Sequence, residues 1–385
     1  MKEDILKQLE GYETVKNEIK SSIKYGNDFS NEKGNIAEYI HRLHPPKLGL
    51  RVSTILEETS STKTFRLVSQ NNYLPPFQAG QYIALFLEVS GIRTSRPFSI
   101  SSPPNQTGYY DITVRRVENG LVSNHLLDNV KKGDTFESSG PSGTFVYNPI
   151  VHDSTMVCIA GGSGITPFMS MIREITDRGL DRTVYLFYGN KDLNDIIFHG
   201  ELTRMSNNFS NFFYIPVIEN ASEDYTGVCG LISSQILKKT LKDLSNKSFF
   251  LCGPKGLYDF CLPALDSLDV PNRKIRQEVY GTPIDICDYP GWPKDIKAND
   301  MFSISIKGNA TIQVAAGESL LSSLEKNNIL VPSICRSGDC SMCRIKVLNG
   351  KVFQPAGVPV RASDRQFGYV HSCMSFPIED LEIIV

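Results

Sequence analysis

The chain has 385 residues, 41% of them hydrophobic and 21% charged, with a net charge of −2. That length exceeds one ordinary domain, and the composition is that of a globular protein. A balance so close to neutrality, with its basic residues dispersed, excludes an electrostatic case for nucleic acid or for an anionic membrane surface.

The N-terminus, Met1-Lys2-Glu3-Asp4, lacks the apolar stretch of a secretion signal, and no run of 18 apolar residues offers a membrane span. Nine cysteines, an odd number without a disulfide framework, fit a reducing cytoplasm. Residues 1–47 read as a helical N-terminal extension. Ile5, Leu6, Leu9, Val15, Ile19 and Ile23 recur at three- and four-residue spacing among Lys and Glu. Residues 27–34 are polar and loop-like, and residues 36–43 suggest a second short helix before Pro45-Pro46. The extension is either an appendage on the main body or a docking or dimerisation element.

Residues 48–148 alternate apolar and polar side chains in several short stretches, at 48–67, 82–89 and 111–117, with turns at Pro75-Pro76 and Gly80. Many short strands at near-regular spacing predict a closed antiparallel β-barrel. Within it stands Arg96-Pro97-Phe98-Ser99. The planar fork of Arg96 suits a phosphate, Phe98 suits a flat ring, and the Ser99 hydroxyl suits a ring edge where charge accumulates on reduction. Gly120-Leu121-Val122-Ser123 follows. Gly120 would let backbone approach a diphosphate, and Ser123 would start a helix over 123–129 whose N–H groups face the anion. On these motifs, with Gly140-Pro141-Ser142-Gly143 after them, the chain resembles the ferredoxin–NADP reductase superfamily, whose flavin motif is Arg-x-aromatic-Ser. The resemblance implies FAD rather than FMN, held by Arg96, Pro97, Phe98, Ser99, Val114, Gly120, Leu121, Val122 and Ser123.

Residues 149–281 read as an α/β domain with a parallel sheet. A buried strand at 155–160 runs into Gly161-Gly162-Ser163-Gly164-Ile165-Thr166-Pro167 and then a helical face of Phe168, Met169, Met171, Ile172 and Ile175. Strand, glycine turn and helix with an early proline make an anion site at a helix N-terminus, or else a tight turn without ligand. Gly-Lys-Ser/Thr is absent, so this is not a Walker A loop. Further strands at 184–189 and 248–252 put Thr166, Cys252, Gly253 and Pro254 at strand carboxyl ends, where such sheets bind ligands. In the superfamily, matching residues line a nicotinamide. The resemblance therefore implies a pyridine-nucleotide site of Gly162, Gly164, Thr166, Asn190, Asp195, Cys252, Gly253 and Pro254. Cys252 read as a nucleophile would need a partner histidine that the sequence does not offer. Lys191 would attract a 2′-phosphate and Asp192 or Asp195 would repel one, which favours NADH over NADPH. Tyr280, in Glu278-Val279-Tyr280, is either an ordinary strand tyrosine or, as the superfamily implies, the aromatic that covers the flavin. Ser99, Thr166, Cys252 and Tyr280 are the expected reaction-centre residues.

Residues 282–299, with three prolines, Gly291 and Trp292, read as a semi-rigid linker. Residues 300–385 carry a hairpin at 302–314, a short helix around Leu320, Leu321 and Leu324, and closing strands at 343–347 and 381–385. Between them stand Cys335, Cys340 and Cys343 in C-x4-C-x2-C spacing, with Cys373 after 29 more residues. Four thiolates suit soft iron, and this is the spacing of a plant-type 2Fe-2S cluster. A zinc site would show two C-x2-C pairs and a Rieske centre would need histidines. Gly338 lets backbone approach the sulfurs, and residues 374–378 would shield them. The elements resemble the β-grasp fold of plant-type ferredoxins.

The order of domains is similar to that of phthalate dioxygenase reductase-type and phenylacetyl-CoA epoxidase-type reductases. It implies hydride transfer from NADH to FAD, single-electron transfer to a 2Fe-2S cluster, and delivery to a partner protein such as an oxygenase or another metalloenzyme. A flavin converts between a two-electron donor and a one-electron acceptor, and for one electron about 59 mV is tenfold in equilibrium. A redox sensor and a pure electron carrier or scaffold are the other readings. Neither the acceptor nor the oligomeric state is written in the sequence.

Overall fold

The computed structural model describes residues 11–25, 33–43, 45–222, 224–283 and 285–385. The chain forms two compact units, Met1–Pro46 and Lys47–Val385. The first contains the helices Tyr12–Tyr25 and Lys33–Leu43. Val15 and Ile19 share one face of the former, and Ile36, Tyr39, Ile40 and Leu43 form an i, i+3, i+4, i+7 stripe on the latter; all six are exposed. The second helix starts at Lys33, three residues before the predicted start. Ile5, Leu6, Leu9 and residues 27–32 of the predicted loop lie outside the described residues.

In the second unit, six antiparallel strands come first: β1 (Leu48–Thr59), β2 (Thr62–Ser69), β3 (Tyr82–Val89), β4 (Ile92–Ser99), β5 (Tyr110–Arg115) and β6 (Thr135–Ser138). Their order is β4-β3-β6-β1-β2-β5. A bridge between Ile100 and Ile112 draws the two edge strands together, so the sheet curls into a barrel. Leu50, Val52, Phe65, Leu67, Ile83 and Leu85 fill it. The helix Leu121–Asn129 packs on it through Val122, Leu126 and Leu127.

A parallel sheet follows: β7 (Thr155–Gly161), β8 (Thr183–Asn190), β9 (Phe212–Ile218), β10 (Val228–Cys229), β11 (Lys247–Cys252) and β12 (Ile275–Glu278), in the order β10-β9-β8-β7-β11-β12. Helices cover both faces, which is why β7 and β11 are nearly continuous apolar runs. The chain reverses its direction of travel across the sheet between β7 and β11, so their carboxyl ends frame a crevice.

The last sheet has the order β14-β13-β19-β15-β17, from β13 (Met301–Ile306), β14 (Thr311–Ala315), β15 (Arg344–Asn349), β17 (Tyr369–His371) and β19 (Leu381–Ile384). A separate ribbon pairs β16 (Val352–Phe353) with β18 (Phe376–Pro377). The helix Leu320–Lys326, capped by the Ser319 hydroxyl, lays Leu320, Leu321 and Leu324 on this sheet in a β-grasp arrangement. The stretch expected as a semi-rigid spacer is instead packed. Ile286 and Trp292 are buried with Ala316 and Phe376, and the Trp292 ring meets Phe353 edge-on at 5.1 Å. No helix among the described residues is long and apolar enough to cross a membrane.

Candidate functional site

Strand β4 ends in the Arg96–Ser99 motif. Ser99 is buried, and Arg96, Pro97 and Phe98 are half-buried. The Arg96 guanidinium donates to the Thr94 hydroxyl and to the Ser95 carbonyl, the latter at 2.7 Å, and stands 4.0 Å from the Glu325 carboxylate. Burial and the neighbouring Arg336 cation pull its pKa down to about 10. A half-buried and a buried guanidinium thus share one carboxylate, and the excess positive charge suits an anion such as a cofactor phosphate.

The helix Leu121–Asn129 begins two residues earlier than the predicted start at Ser123. Its N-terminal residue Gly120 is required by crowding: a Cβ there would lie 2.3 Å from the Ser123 hydroxyl oxygen and 2.9 Å from Val117 Cβ. Ser123 does not open the helix; its hydroxyl accepts the Val117 N–H at 3.3 Å and so ties down the turn. Leu121 and Val122 occupy the first turn. Val114 is buried in the barrel core, which leaves only its backbone to face a cofactor.

At the crevice of the parallel sheet, the glycine turn after β7 packs on the turn after β11. A Cβ on Gly164 would lie 2.0 Å from the Cys252 carbonyl oxygen, and one on Gly253 would lie 3.1 Å from the Gly161 nitrogen. Gly162 adopts φ +51°, and its carbonyl accepts the Tyr188 hydroxyl at 2.8 Å. The turn Gly162–Gly164 leads into the 14-residue helix Ile165–Arg178, the Ile165 N–H donating back to the Gly162 and Ser163 carbonyls; the positive end of the helix dipole points at the crevice. Thr166 is buried, its hydroxyl donating to the Ser163 carbonyl at 3.0 Å. Pro254 is exposed at the mouth. Asn190 ends β8 with its Oδ1 buried and without a partner, an acceptor suited to a donor such as a ribose hydroxyl.

Asp195 faces the barrel. It accepts hydrogen bonds from Thr59 at 2.6 Å and Ser61 at 2.8 Å and pairs with Arg115. The same Arg115 reaches the glycine turn, its Nη1 lying 2.9 Å from where a Gly162 Cβ would be. Lys191 and Asp192 are exposed on the loop after β8.

Tyr280 joins the two regions. Its hydroxyl lies 2.7 Å from the Ser99 Oγ and also bonds the Cys252 side chain. Burial pushes both the Cys252 thiol and the Tyr280 phenol far above their ordinary ranges, so neither ionises near neutrality. A buried neutral thiol is a poor nucleophile. Glu278, the last residue of β12 and two before Tyr280, belongs to no motif that the sequence shows. Burial, then the charges of Asp339 and Cys335, push its carboxyl up to about 8.

The cysteine loop lies beyond Glu278. Cys335, Cys343 and Cys373 are buried and Cys340 is half-buried. The side chain of Cys335 is within bonding reach of Cys340 and Cys373, and that of Cys373 reaches Cys343. The Cys335 sulfur accepts the Ser337 and Cys340 N–H groups, both at 3.4 Å. Hydrogen bonds among the four thiols hold Cys335 far below its ordinary range and bring Cys343 down to about 7, and the same bonds push their partners Cys340 and Cys373 up. Arg336, Gly338 and Ser341 all have left-handed φ, which turns the backbone around the sulfurs. Both ring nitrogens of His371 are buried without partners, two residues before Cys373. Four converging sulfurs, inward N–H groups and an imidazole edge without a partner fit an inorganic iron–sulfur core. Met374 and Phe376 are buried behind the loop.

Three families match this chain in order. Residues 49–147 match the oxidoreductase FAD-binding domain, residues 158–262 the oxidoreductase NAD-binding domain, and residues 304–377 the 2Fe-2S iron-sulfur cluster binding domain. A glycine betaine monooxygenase reductase subunit of Pseudomonas aeruginosa is 27% identical over 345 residues, covering 87% of this chain and 94% of the relative. An NADH-cytochrome b5 reductase 2 of Lodderomyces elongisporus is 32% identical over 216 residues, 55% of this chain and 71% of the relative. The solved structure of phthalate dioxygenase reductase shares the fold, with a TM-score of 0.65 at 23% identity over 88% of this chain and 98% of that one.

Proposed function

Because the chain belongs to the ferredoxin–NADP reductase superfamily and carries a C-terminal 2Fe-2S domain, we propose that it is an NADH-dependent reductase that supplies electrons to a separate oxygenase. FAD, NADH and a 2Fe-2S cluster are its redox groups. The flavin accepts a two-electron hydride and gives up electrons singly, as a one-electron cluster needs.

The residues have the following parts. Arg96 would hold the flavin phosphate, and the first turn of Leu121–Asn129 would receive the diphosphate, with Gly120, Leu121, Val122 and Ser123 shaping the approach. Phe98 and Tyr280 would hold the flavin ring, and the Ser99 hydroxyl would supply a hydrogen bond to it. Gly162 and Gly164 let the nucleotide pyrophosphate reach the helix N-terminus, and Asn190 takes the ribose. Thr166, Cys252, Gly253 and Pro254 border the nicotinamide. Cys335, Cys340, Cys343 and Cys373 hold the cluster. No side chain is required as acid or base for hydride transfer; the protein contributes position and exclusion of water. The single observation that carries this reading is Tyr280, which touches Ser99 of the flavin motif on one side and Cys252 of the nucleotide crevice on the other.

The partition 1–47, 48–148, 149–281, 282–299 and 300–385 is proposed as the domain plan. A cytoplasmic setting is supported by nine free cysteines. The test is a spectrum and an assay. The purified protein should show flavin and iron–sulfur absorbance and release FAD with acid, and its NADH consumption should rise when the native oxygenase is added. FMN alone in the extract, or NADH consumption indifferent to every oxygenase captured from the source extract, would contradict the proposal.

A further inference from the structure

The barrel and the C-terminal sheet meet at a buried polar seam. On the barrel side β4 supplies Thr94, Ser95 and Arg96. Across from it stand Glu325 in the helix Leu320–Lys326, then Ser333, and Arg336 next to Cys335. Glu325 and Arg336 are 5% and 4% exposed. Arg336 grips Glu325 with both terminal nitrogens, at 2.7 and 2.9 Å. Its Nη1 also donates to the Ser95 carbonyl at 3.2 Å and to the Thr94 hydroxyl at 3.4 Å. The Thr94 hydroxyl donates to the Glu325 carboxylate at 3.0 Å. The Ser95 hydroxyl donates to the Ser333 carbonyl at 2.7 Å and lies 2.8 Å from the Ser333 hydroxyl.

An ion pair buried this deeply is a poor source of net stability, because desolvating both charges offsets their attraction. What a two-pronged pair supplies, and apolar packing does not, is a fixed distance and angle. That geometry passes directly to the cysteine loop. Arg336 follows Cys335 and is held at φ +55°, so the fork fixes the backbone from which the Cys335 sulfur projects. On the other side Glu325 is 4.0 Å from Arg96, the residue assigned to the flavin phosphate. One carboxylate therefore touches the arginine beside each redox group.

We propose that Glu325 and Arg336 are positioning residues for the internal electron transfer: they hold the cysteine loop in one register against the flavin strand. The proposal rests on the flavin-to-cluster order of the proposed function. In that step NADH loses a hydride to the flavin, and the reduced flavin is reoxidised as each electron passes to the cluster.

The experiment is anaerobic stopped-flow mixing of the holoprotein with NADH, following flavin bleaching and cluster reduction separately, with iron content measured on the same samples. In the wild type the flavin should bleach first; a cluster reduced before the flavin would overturn the functional reading whatever Glu325 does. Glu325→Gln should leave flavin bleaching within about twofold and slow cluster reduction by roughly tenfold or more, the scale on which small misplacements act. The double change Ser95→Cys and Ser333→Cys, oxidised to a cross-link in the Glu325→Gln background, should restore most of the cluster rate. An unchanged cluster rate in Glu325→Gln overturns the proposal. So does a slowed rate that the cross-link leaves slow, since the lost charge would then act on potential rather than position. If Glu325→Gln loses iron, amide hydrogen exchange over residues 94–96 and 333–336 decides: faster exchange reversed by the cross-link supports positioning, and unchanged exchange refutes it.

Discussion

The barrel has two polar seams, and they are built differently. Toward the parallel sheet, Asp195 and Arg115 pair with their side chains 24% and 28% exposed, Ser170 and Arg173 donate to the carbonyls of Ser102 and Ser101 at 2.7 and 2.8 Å, and Ser99 meets Tyr280. Toward the C-terminal sheet, Glu325 and Arg336 pair with side chains 6% and 4% exposed. Pairs that water reaches break and re-form at little cost, whereas breaking a dry pair strands a charge. The first seam borders the crevice that a charged nucleotide must enter and leave. The second spans a gap that only electrons cross, and nothing requires it to open.

The largest expected effect tests that contrast. Arg336→Met strands Glu325 and should destabilise the C-terminal module by about 3 kcal/mol, the low end for a broken buried pair because Arg96 stands nearby. Asp195→Asn should cost about 1 kcal/mol or less and act mainly on the KM for NADH. Urea midpoints followed by cluster absorbance, beside NADH kinetics, compare the two; equal costs would erase the distinction between the seams.

A smaller effect is a pH signature at the junction. The folded Glu278 carboxyl sits at about 8 against an ordinary 4.5, so the native state holds the proton more tightly than the unfolded chain. Its contribution to stability is complete below pH 4.5 and is lost as pH rises through 8. Glu278→Gln should therefore flatten the fall in melting temperature between about pH 5 and about 8.5. A fall as steep as in the wild type would mean that another group titrates there.

The smallest effect concerns the nucleotide. Asp195 is neutralised by Arg115 and held by Thr59 and Ser61, so Asp192 is left as the exposed acid near Lys191. Asp192→Ser should raise kcat/KM for NADPH by at most about fivefold, the scale of one surface charge, and leave NADH nearly unchanged. A wild type that already prefers NADPH would contradict the repulsion.

Local chemistry is legible in the sequence. The cysteine spacing, the glycine turn after β7 and the Arg-Pro-Phe-Ser motif each lie within a few residues, so periodicity and turn chemistry reveal them. What the sequence hides is long-range. Thr94 and Glu325 are 231 residues apart, and Arg115 and Asp195 are 80 apart. No single-sequence pattern records which charge meets which across a seam. In the sequence Asp195 looks like a repellent for a phosphate because it follows β8, where the adenosine ribose should lie, whereas its side chain turns to the barrel. Trp292 looks like part of a spacer because prolines flank it, whereas its ring fills a small core with Ile286. The helix start at Leu121 escapes a reading of the sequence because the crowding at Gly120 comes from Ser123 and Val117 together, contacts made only once the turn has closed.

The order of carriers is tested most directly with Cys340→Ser, which removes a soft ligand and with it most of the cluster. Reduction of ferricyanide by NADH, which needs only the flavin, should survive, while reduction of cytochrome c, which takes electrons from the cluster, should fall steeply. If both activities fall together in protein that retains its flavin, electrons do not pass from flavin to cluster.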